Sequence, residues 1–432
     1  MGVIDARFSF YKAGQGSFYG GRIWSHDNDK VYTIVYDCGT SPFIAGNSQS
    51  LKKEIDLFKT DSIFPQHNNV IDLLLLSHLD YDHVSGLKRL LVDFTVKKIV
   101  LPYIEKEHRK FFLLSLGEGV TEDDLSPEDY TKFVETPHTF ITENSSNKEI
   151  QLFFIGSDDE SEIEYRTDGF NNDIIDIYPV GTPITKPEEL EQLKNNLVNV
   201  YKNDLQFFIR QKWEFTTYVK GVDPGAIEAL ERCLKHKFQK NSNETLTFED
   251  LKNIVTTDRK EAHRCYTQCI DEINSHGLIL LHGPINFYYS SCDFFSDHEL
   301  NRFYKNNFYY DQSDEIIYSQ IPFLGTLLLG DTSLNPKNNA VNFQKAFKDK
   351  LRYVHIVQVP HHGSEKNWDY DEFKELQIGD DLDHLHQVLS VCNFGYGNRY
   401  GHPSHAVLKD LKYTIFLNSQ FSRLYTTYYI GF

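Results

Sequence analysis

Leu73-Leu74-Leu75-Leu76-Ser77-His78-Leu79-Asp80-Tyr81-Asp82-His83 is the stretch that decides the fold of this 432-residue chain. The apolar run Leu73 to Leu76 has no polar position, so it reads as a buried strand of a sheet covered on both faces. It runs straight into His78, Asp80, Asp82 and His83, two imidazoles and two carboxylates within six positions. Buried carboxylates are costly unless a cation neutralises them, and bound metal does so. His nitrogen and Asp oxygen are ordinary ligands of divalent ions. A solvated loop that happens to be rich in His and Asp is the weaker alternative.

Working outward, four further segments stand at the ends of strands. They are Ala13-Gly14-Gln15-Gly16-Ser17 with Val31 to Gly39 behind it, Thr326 to Thr332 ending in Gly330-Asp331, Val357 to Ser364, and Gly397 to Pro403. Together with His78-x-Asp80-x-Asp82-His83 they resemble the ordered motifs of metallo-β-lactamase-fold hydrolases. The Asp at the second ligand position, His361-His362-Gly363-Ser364, and Asn398-Arg399-Tyr400-Gly401-His402-Pro403 resemble the group typified by the lactamase-like domain of the DNA-uptake protein ComEC. The resemblance covers roughly residues 5–103 and 277–432. It implies an α/β fold of metallo-β-lactamase type, an αβ/βα four-layer sandwich, here a stand-alone member without its own membrane part.

Motifs at strand ends let distant side chains converge at one edge of the sheets. His78 and Asp80 would then hold one ion and Asp82 and His83 the other. The resemblance adds Asp331 as the bridge, with His402 and one or both of His361 and His362 completing the two shells. Asp82 and Asp331 are the expected catalytic carboxylates. Two ions about 3.5–4 Å apart activate water and stabilise an in-line displacement. Because Asp80 stands where many relatives have His, the ligand set is rich in oxygen and favours Mn²⁺, with Zn²⁺ or Mg²⁺ as alternatives.

Other polar residues carry two readings each. Asp37 either orients ligands through hydrogen bonds, as the resemblance implies, or simply ends its strand at an Asp-Cys-Gly turn. Ser364 either touches substrate or caps the turn after Gly363. Asn398 and Tyr400 either contact substrate or shape the loop presenting His402, and the loop role is preferred. His405 is expected to begin a helix. His384 and His386 are read as loop residues, and His276 and His282 as surface or core.

Formal charge is 44 − 62 = −18, and no Lys/Arg tract is concentrated anywhere. Proteins that grip long duplexes show a basic footprint, so the charge does not support nucleic acid as a directly bound partner. It leaves room for small phosphodiesters, nucleotides, or nucleic acid delivered by a protein partner. No apolar stretch is long enough to span a bilayer, and Met1 to Phe10 does not resemble a secretory signal. The six cysteines lack zinc spacing and are expected to be reduced thiols of a cytoplasmic, bacterial protein.

Three segments are expected: residues 1–103 and 277–432 as the two halves of the metallo-β-lactamase domain, and 104–276 as a largely helical insertion. Within the insertion, helices are expected over Pro187 to Tyr201, Gly225 to Phe238 and Thr247 to Thr257, and strands over Glu149 to Ile155 and Trp213 to Val219. The expected activity is metal-dependent hydrolysis of phosphodiester bonds, as a phosphodiesterase or nuclease. The alternatives are hydrolysis of a lactone, thioester or cyclic nucleotide, or a partner-gated subunit of a bacterial defence or DNA-processing system.

Overall fold

Leu73 and Leu75 pack into a core between two sheets, whereas Leu74 and Leu76 pack into a second core beneath helices. Successive side chains of a strand point to opposite faces, so this wholly apolar strand is covered twice. That alternation dictates the layering of the whole protein. The computed structural model describes residues 2–41, 47–61, 69–116, 125–157, 176–191, 197–221, 224–241, 244–273, 277–296, 316–319, 323–334, 339–382, 388–411, 415–419 and 422–432.

Among the described residues ten strands form the first sheet, in the order Val198–Tyr201, Gln151–Ile155, Lys98–Pro102, Leu73–Leu75, Lys30–Cys38, Phe18–Ser25, Val3–Phe10, Leu424–Gly431, Tyr289–Ser296 and Ile316–Ser319. The first five run parallel and the rest antiparallel. Eight described strands form the second, from Ile415–Asn418 through Leu389–Asn393, Val354–Gln358, Gly325–Leu328, Leu278–Pro284, Trp213–Val219 and Gln206–Ile209 to Tyr178–Val180. Tyr36, Leu73 and Val100 of one sheet share the central core with Phe215, Leu280, Leu328 and Ile356 of the other. Leu51, Ile55, Leu87 and Leu90 cover the first sheet from outside, and Phe343, Phe347 and Val407 cover the second. This is the expected αβ/βα sandwich of metallo-β-lactamase type.

Residues 104–276 add strands to both sheets, the two expected strands among them. Gln151–Ile155 pairs parallel with Lys98–Pro102, and Trp213–Val219 pairs along its full length with Leu278–Pro284. The physical reason is again alternation: Leu152 and Phe154 face the helices while Phe153 and Ile155 face the central core. The helices Pro224–Lys237 and Phe248–Ile273 form near their expected places, the second kinked at Asp258. The helix expected to reach Tyr201 is replaced at its end by the strand Val198–Tyr201, where Val198 and Val200 bury one face. β-Branched residues at alternate positions favour that outcome.

The cysteines also depart from expectation. Cys233 and Cys265 form a disulfide, Cα–Cα 5.9 Å, between those two helices, whose Leu230, Leu234, Ile254 and Tyr266 share one core. Cys38, Cys292 and Cys392 are buried outside any disulfide. His276, His384 and His386 lie outside the described residues. Among the described residues no helix is long and apolar enough to cross a membrane.

Candidate metal centre

Each site segment is placed by the end of a strand. The strand Leu73–Leu75 stops just before Ser77 and His78, and the short helix Tyr81–Val84 follows with Asp80 at its N-cap. A Cβ on Gly39 would sit 2.4 Å from the Asp82 carbonyl oxygen, so the Asp37-Cys38-Gly39 turn packs directly against this loop only because that residue is glycine. After Val354–Gln358, His361 and His362 both adopt positive φ, 45° and 55°. Non-glycine residues rarely hold that conformation, and strain of this kind is concentrated at functional sites. The His361 N–H is fixed by the Gly330 carbonyl at 3.0 Å, which ties this turn to the Gly330-Asp331 turn.

Three imidazoles are oriented from behind. His83 Nδ1 donates to Asp37 Oδ2 at 2.7 Å, and His362 Nδ1 donates to the Asn393 carbonyl at 3.1 Å. Ser77 Oγ donates to Asp37 Oδ2 at 2.7 Å and accepts from His78 Nδ1 at 2.8 Å. With Nδ1 engaged in each case, Nε2 is the atom turned into the site. All three Nε2 atoms are buried and make no hydrogen bond among the described residues.

Those nitrogens converge on one carboxylate. Asp331 Oδ1 lies 3.2 Å from His83 Nε2 and 3.7 Å from His362 Nε2. Asp331 Oδ2 lies 3.8 Å from both His78 Nε2 and His361 Nε2. Asp82 Oδ2 approaches His362 Nε2 at 3.4 Å, and Asp80 Oδ2 approaches His78 Nε2 at 3.8 Å. Ligand atoms of Asp82, His83, Asp331 and His362 lie within 4.8 Å of one another, as do those of His78, Asp80 and Asp82. Asp82 belongs to both groups and Asp331 to the first, so these residues could hold two ions.

The electrostatics demand positive charge at the centre. Burial pulls His83 down, but Asp331 and Asp37 together lift it well above the ordinary imidazole range. Burial likewise opposes charge on His362, and Asp331 and Asp82 raise it. Burial, followed by the Asp82 charge, pushes Asp80 up to about 7. Without a cation, protons are drawn into the cluster to offset its carboxylates. Buried lone pairs aimed at carboxylates fit a bound divalent ion, which would satisfy both at once.

Of the remaining predicted residues, Ser364, Tyr400 and His402 line a cavity of about 330 Å³ together with Asp80, Asp82, Asp331, His361, His362 and Lys366. His361 and His402, with ring centroids 5.8 Å apart, join neither ligand cluster, although His361 Nε2 lies 3.8 Å from Asp331 Oδ2. Asn398 is consumed by its own loop, donating to the Gly395 and His402 carbonyls at 2.8 and 2.6 Å and accepting from the Tyr400 and His402 N–H groups at 3.1 Å each. Tyr400 is partly exposed on the cavity wall, Ser364 is buried there, and His405 begins the helix His405–Asp410. His282 is a core residue between Tyr19 and Trp213.

Two residues at the site carried no signal in the sequence. Ser77 precedes the motif and links Asp37 to His78, a role visible only once the turn is folded. Tyr266 belongs to the helix Phe248–Ile273 and donates to Asp80 Oδ1 at 2.7 Å.

A model of the metallo-beta-lactamase superfamily matches residues 29–153, the span from the strand Lys30–Cys38 through the His78–His83 motif to the strand Gln151–Ile155. That match supports the metallo-β-lactamase fold seen here, and with the His/Asp clusters it supports a metal-dependent hydrolase. No curated protein matches the chain.

Proposed function

We propose that this protein is a two-metal phosphodiesterase whose substrate is a small phosphodiester, a nucleotide, or the accessible end of a nucleic acid. The observation that carries this reading is the division of Asp331, one oxygen facing His83 and His362 and the other facing His78 and His361. A carboxylate so divided suits a pair of ions rather than one. Three carboxylates, Asp80, Asp82 and Asp331, would offset three of the four positive charges of two divalent ions. The net single positive charge that remains matches a phosphodiester monoanion. Bound divalent ions supply an activated water and charge stabilisation at the reacting phosphorus.

The chain's own residues do the rest. Asp37 and Ser77 hold His83 and His78 with Nε2 forward, so no side-chain reorganisation is needed on binding. Lys366 lines the same cavity and offers a cationic contact to a phosphate oxygen. Tyr400, partly exposed on the wall, provides an aromatic face for a base or leaving group. The acidic net charge of −18 supports a small or terminal substrate over a long duplex. The Asp-for-His substitution at Asp80 supports Mn²⁺ as the working ion. The His361-His362-Gly363-Ser364 and Asn398 to Pro403 signatures support placement in the ComEC-like group.

A Mn²⁺-supplemented screen tests this proposal, using chromogenic phosphodiesters, cyclic nucleotides, single-stranded and duplex DNA, and RNA, with lactones and thioesters as counter-substrates. Phosphodiester cleavage that disappears in Asp331→Ala and His78→Ala is expected. Turnover of lactone or thioester alone, or phosphodiester cleavage that survives both substitutions, overturns it.

A further inference from the structure

A carboxylate that ligates an ion through one oxygen leaves the second oxygen to be satisfied, and when buried that oxygen needs a donor. Asp80 presents this problem. Its Oδ2 faces His78 Nε2, and it is only 3% exposed, so water cannot serve its other oxygen freely. The donor comes from far away in sequence. Tyr266, fully buried in the helix Phe248–Ile273, places its hydroxyl 2.7 Å from Asp80 Oδ1.

We infer that Tyr266 is a positioning residue for Asp80, and that the middle segment of the chain thereby sets the affinity of one of the two ions. A hydroxyl donor suits a carboxylate here, because the second oxygen of Asp80 then has its partner. The bond holds the carboxylate with Oδ2 forward, which restricts it to one-oxygen ligation beside His78. The helix is itself anchored at the neighbouring residue by the Cys233–Cys265 disulfide, so the hydroxyl is not free to wander. Tyr130 provides a contrast close by. Its hydroxyl shares its one hydrogen between the Leu79 and Phe112 carbonyls, both at 2.9 Å, with Ser115 Oγ at 2.7 Å, and contacts no ligand carboxylate. This inference rests on the two-ion reading of the site but not on the choice of substrate.

The test is Mn²⁺ binding to the full chain, followed by calorimetry and by electron paramagnetic resonance, for wild type, Tyr266→Phe and Tyr130→Phe. Wild type is expected to take two ions and show a spin-coupled pair. Tyr266→Phe is expected to keep one ion and bind the second about ten- to hundredfold more weakly, with an uncoupled Mn²⁺ signal at one equivalent. Tyr130→Phe is expected to lower thermal stability and keep both ions, as a purely structural tyrosine would. Two ions bound to Tyr266→Phe with wild-type affinity overturn the inference. Wild type that binds no ion overturns the two-metal reading itself and this inference with it. If Tyr266→Phe does not fold, a crystal structure of Mn²⁺-loaded wild type decides the matter: a Tyr266 hydroxyl turned away from Asp80 overturns it, and one within hydrogen-bond distance supports it.

Discussion

Asp37 and His83 meet through a 2.7 Å hydrogen bond in which the carboxylate, fully buried at the end of its strand, fixes the imidazole of a residue forty-six positions away. The same carboxylate accepts both the backbone N–H and the hydroxyl of Ser77, each at 2.7 Å. One side chain therefore orients two of the imidazoles that face Asp331.

Asp37→Asn should for that reason harm metal binding without touching a ligand. The new amide must point its NH₂ at a donor, leaving either Ser77 or His83 unsatisfied. Mn²⁺ affinity is expected to fall about ten- to hundredfold, and unfolding free energy to fall by about 1–3 kcal/mol. Calorimetric titration and denaturant melts measure the two effects. Wild-type affinity in the variant would remove Asp37 from the site.

Asp331→Ala and His402→Ala should differ in metal content. Asp331 stands between both groups of nitrogens, whereas His402 lies outside the two ligand clusters. Asp331→Ala is expected to lose both ions on gel filtration, and His402→Ala to retain at least one. Elemental analysis of the eluted protein decides. Equal loss in both variants would place His402 among the essential ligands.

Metal affinity should rise with pH through neutrality. In the metal-free protein Asp80 is held at about 7, first by burial and then by the Asp82 charge. Below that value a proton must be displaced before the carboxylate can ligate, so affinity should drop by about tenfold per pH unit for each such proton. Linkage runs the same way. A carboxyl raised from 3.8 to about 7 stabilises the metal-free fold below pH 4 and progressively loses that contribution as pH rises through 7. Mn²⁺ titrations at pH 6 and pH 8 check the first statement, and melts of metal-free protein across pH 5–8, with Asp80→Asn for comparison, check the second. Tighter binding at pH 6 would contradict the first statement, and metal-free stability that does not fall from pH 5 to pH 8 would contradict the second.

Reduction of Cys233–Cys265 should loosen the helix that carries Tyr266. The bond closes a loop spanning 32 positions, and a cross-link of that length stabilises by roughly 3–4 kcal/mol in the chain-entropy treatment. Denaturant unfolding with and without a phosphine reductant is expected to show a loss of that order, with Cys233→Ser matching the reduced wild type. Superimposable curves would mean that the bond contributes nothing in solution.

Local pattern carried a large part of this protein into view. Leu73 to Leu76 announce a strand covered on both faces, because alternation and burial act on neighbouring residues and leave a mark in the order of side chains. Asp37, Asp331 and the pair His361-His362 can be recognised as strand-end polar residues for the same reason, and the helix Pro224–Lys237 is legible in its capping and periodicity. Contacts between distant elements leave no such mark. That residues 104–276 add strands to both sheets, that Cys233 finds Cys265, that Asp331 divides its two oxygens between opposing imidazole pairs, and that Tyr266 reaches Asp80 across 186 positions all follow from packing. The sequence by itself determined which side chains stand ready at the ends of strands. Only the tertiary structure decided which of them face one another, because the energy of burying a charged or polar group depends on partners that the chain brings together in space.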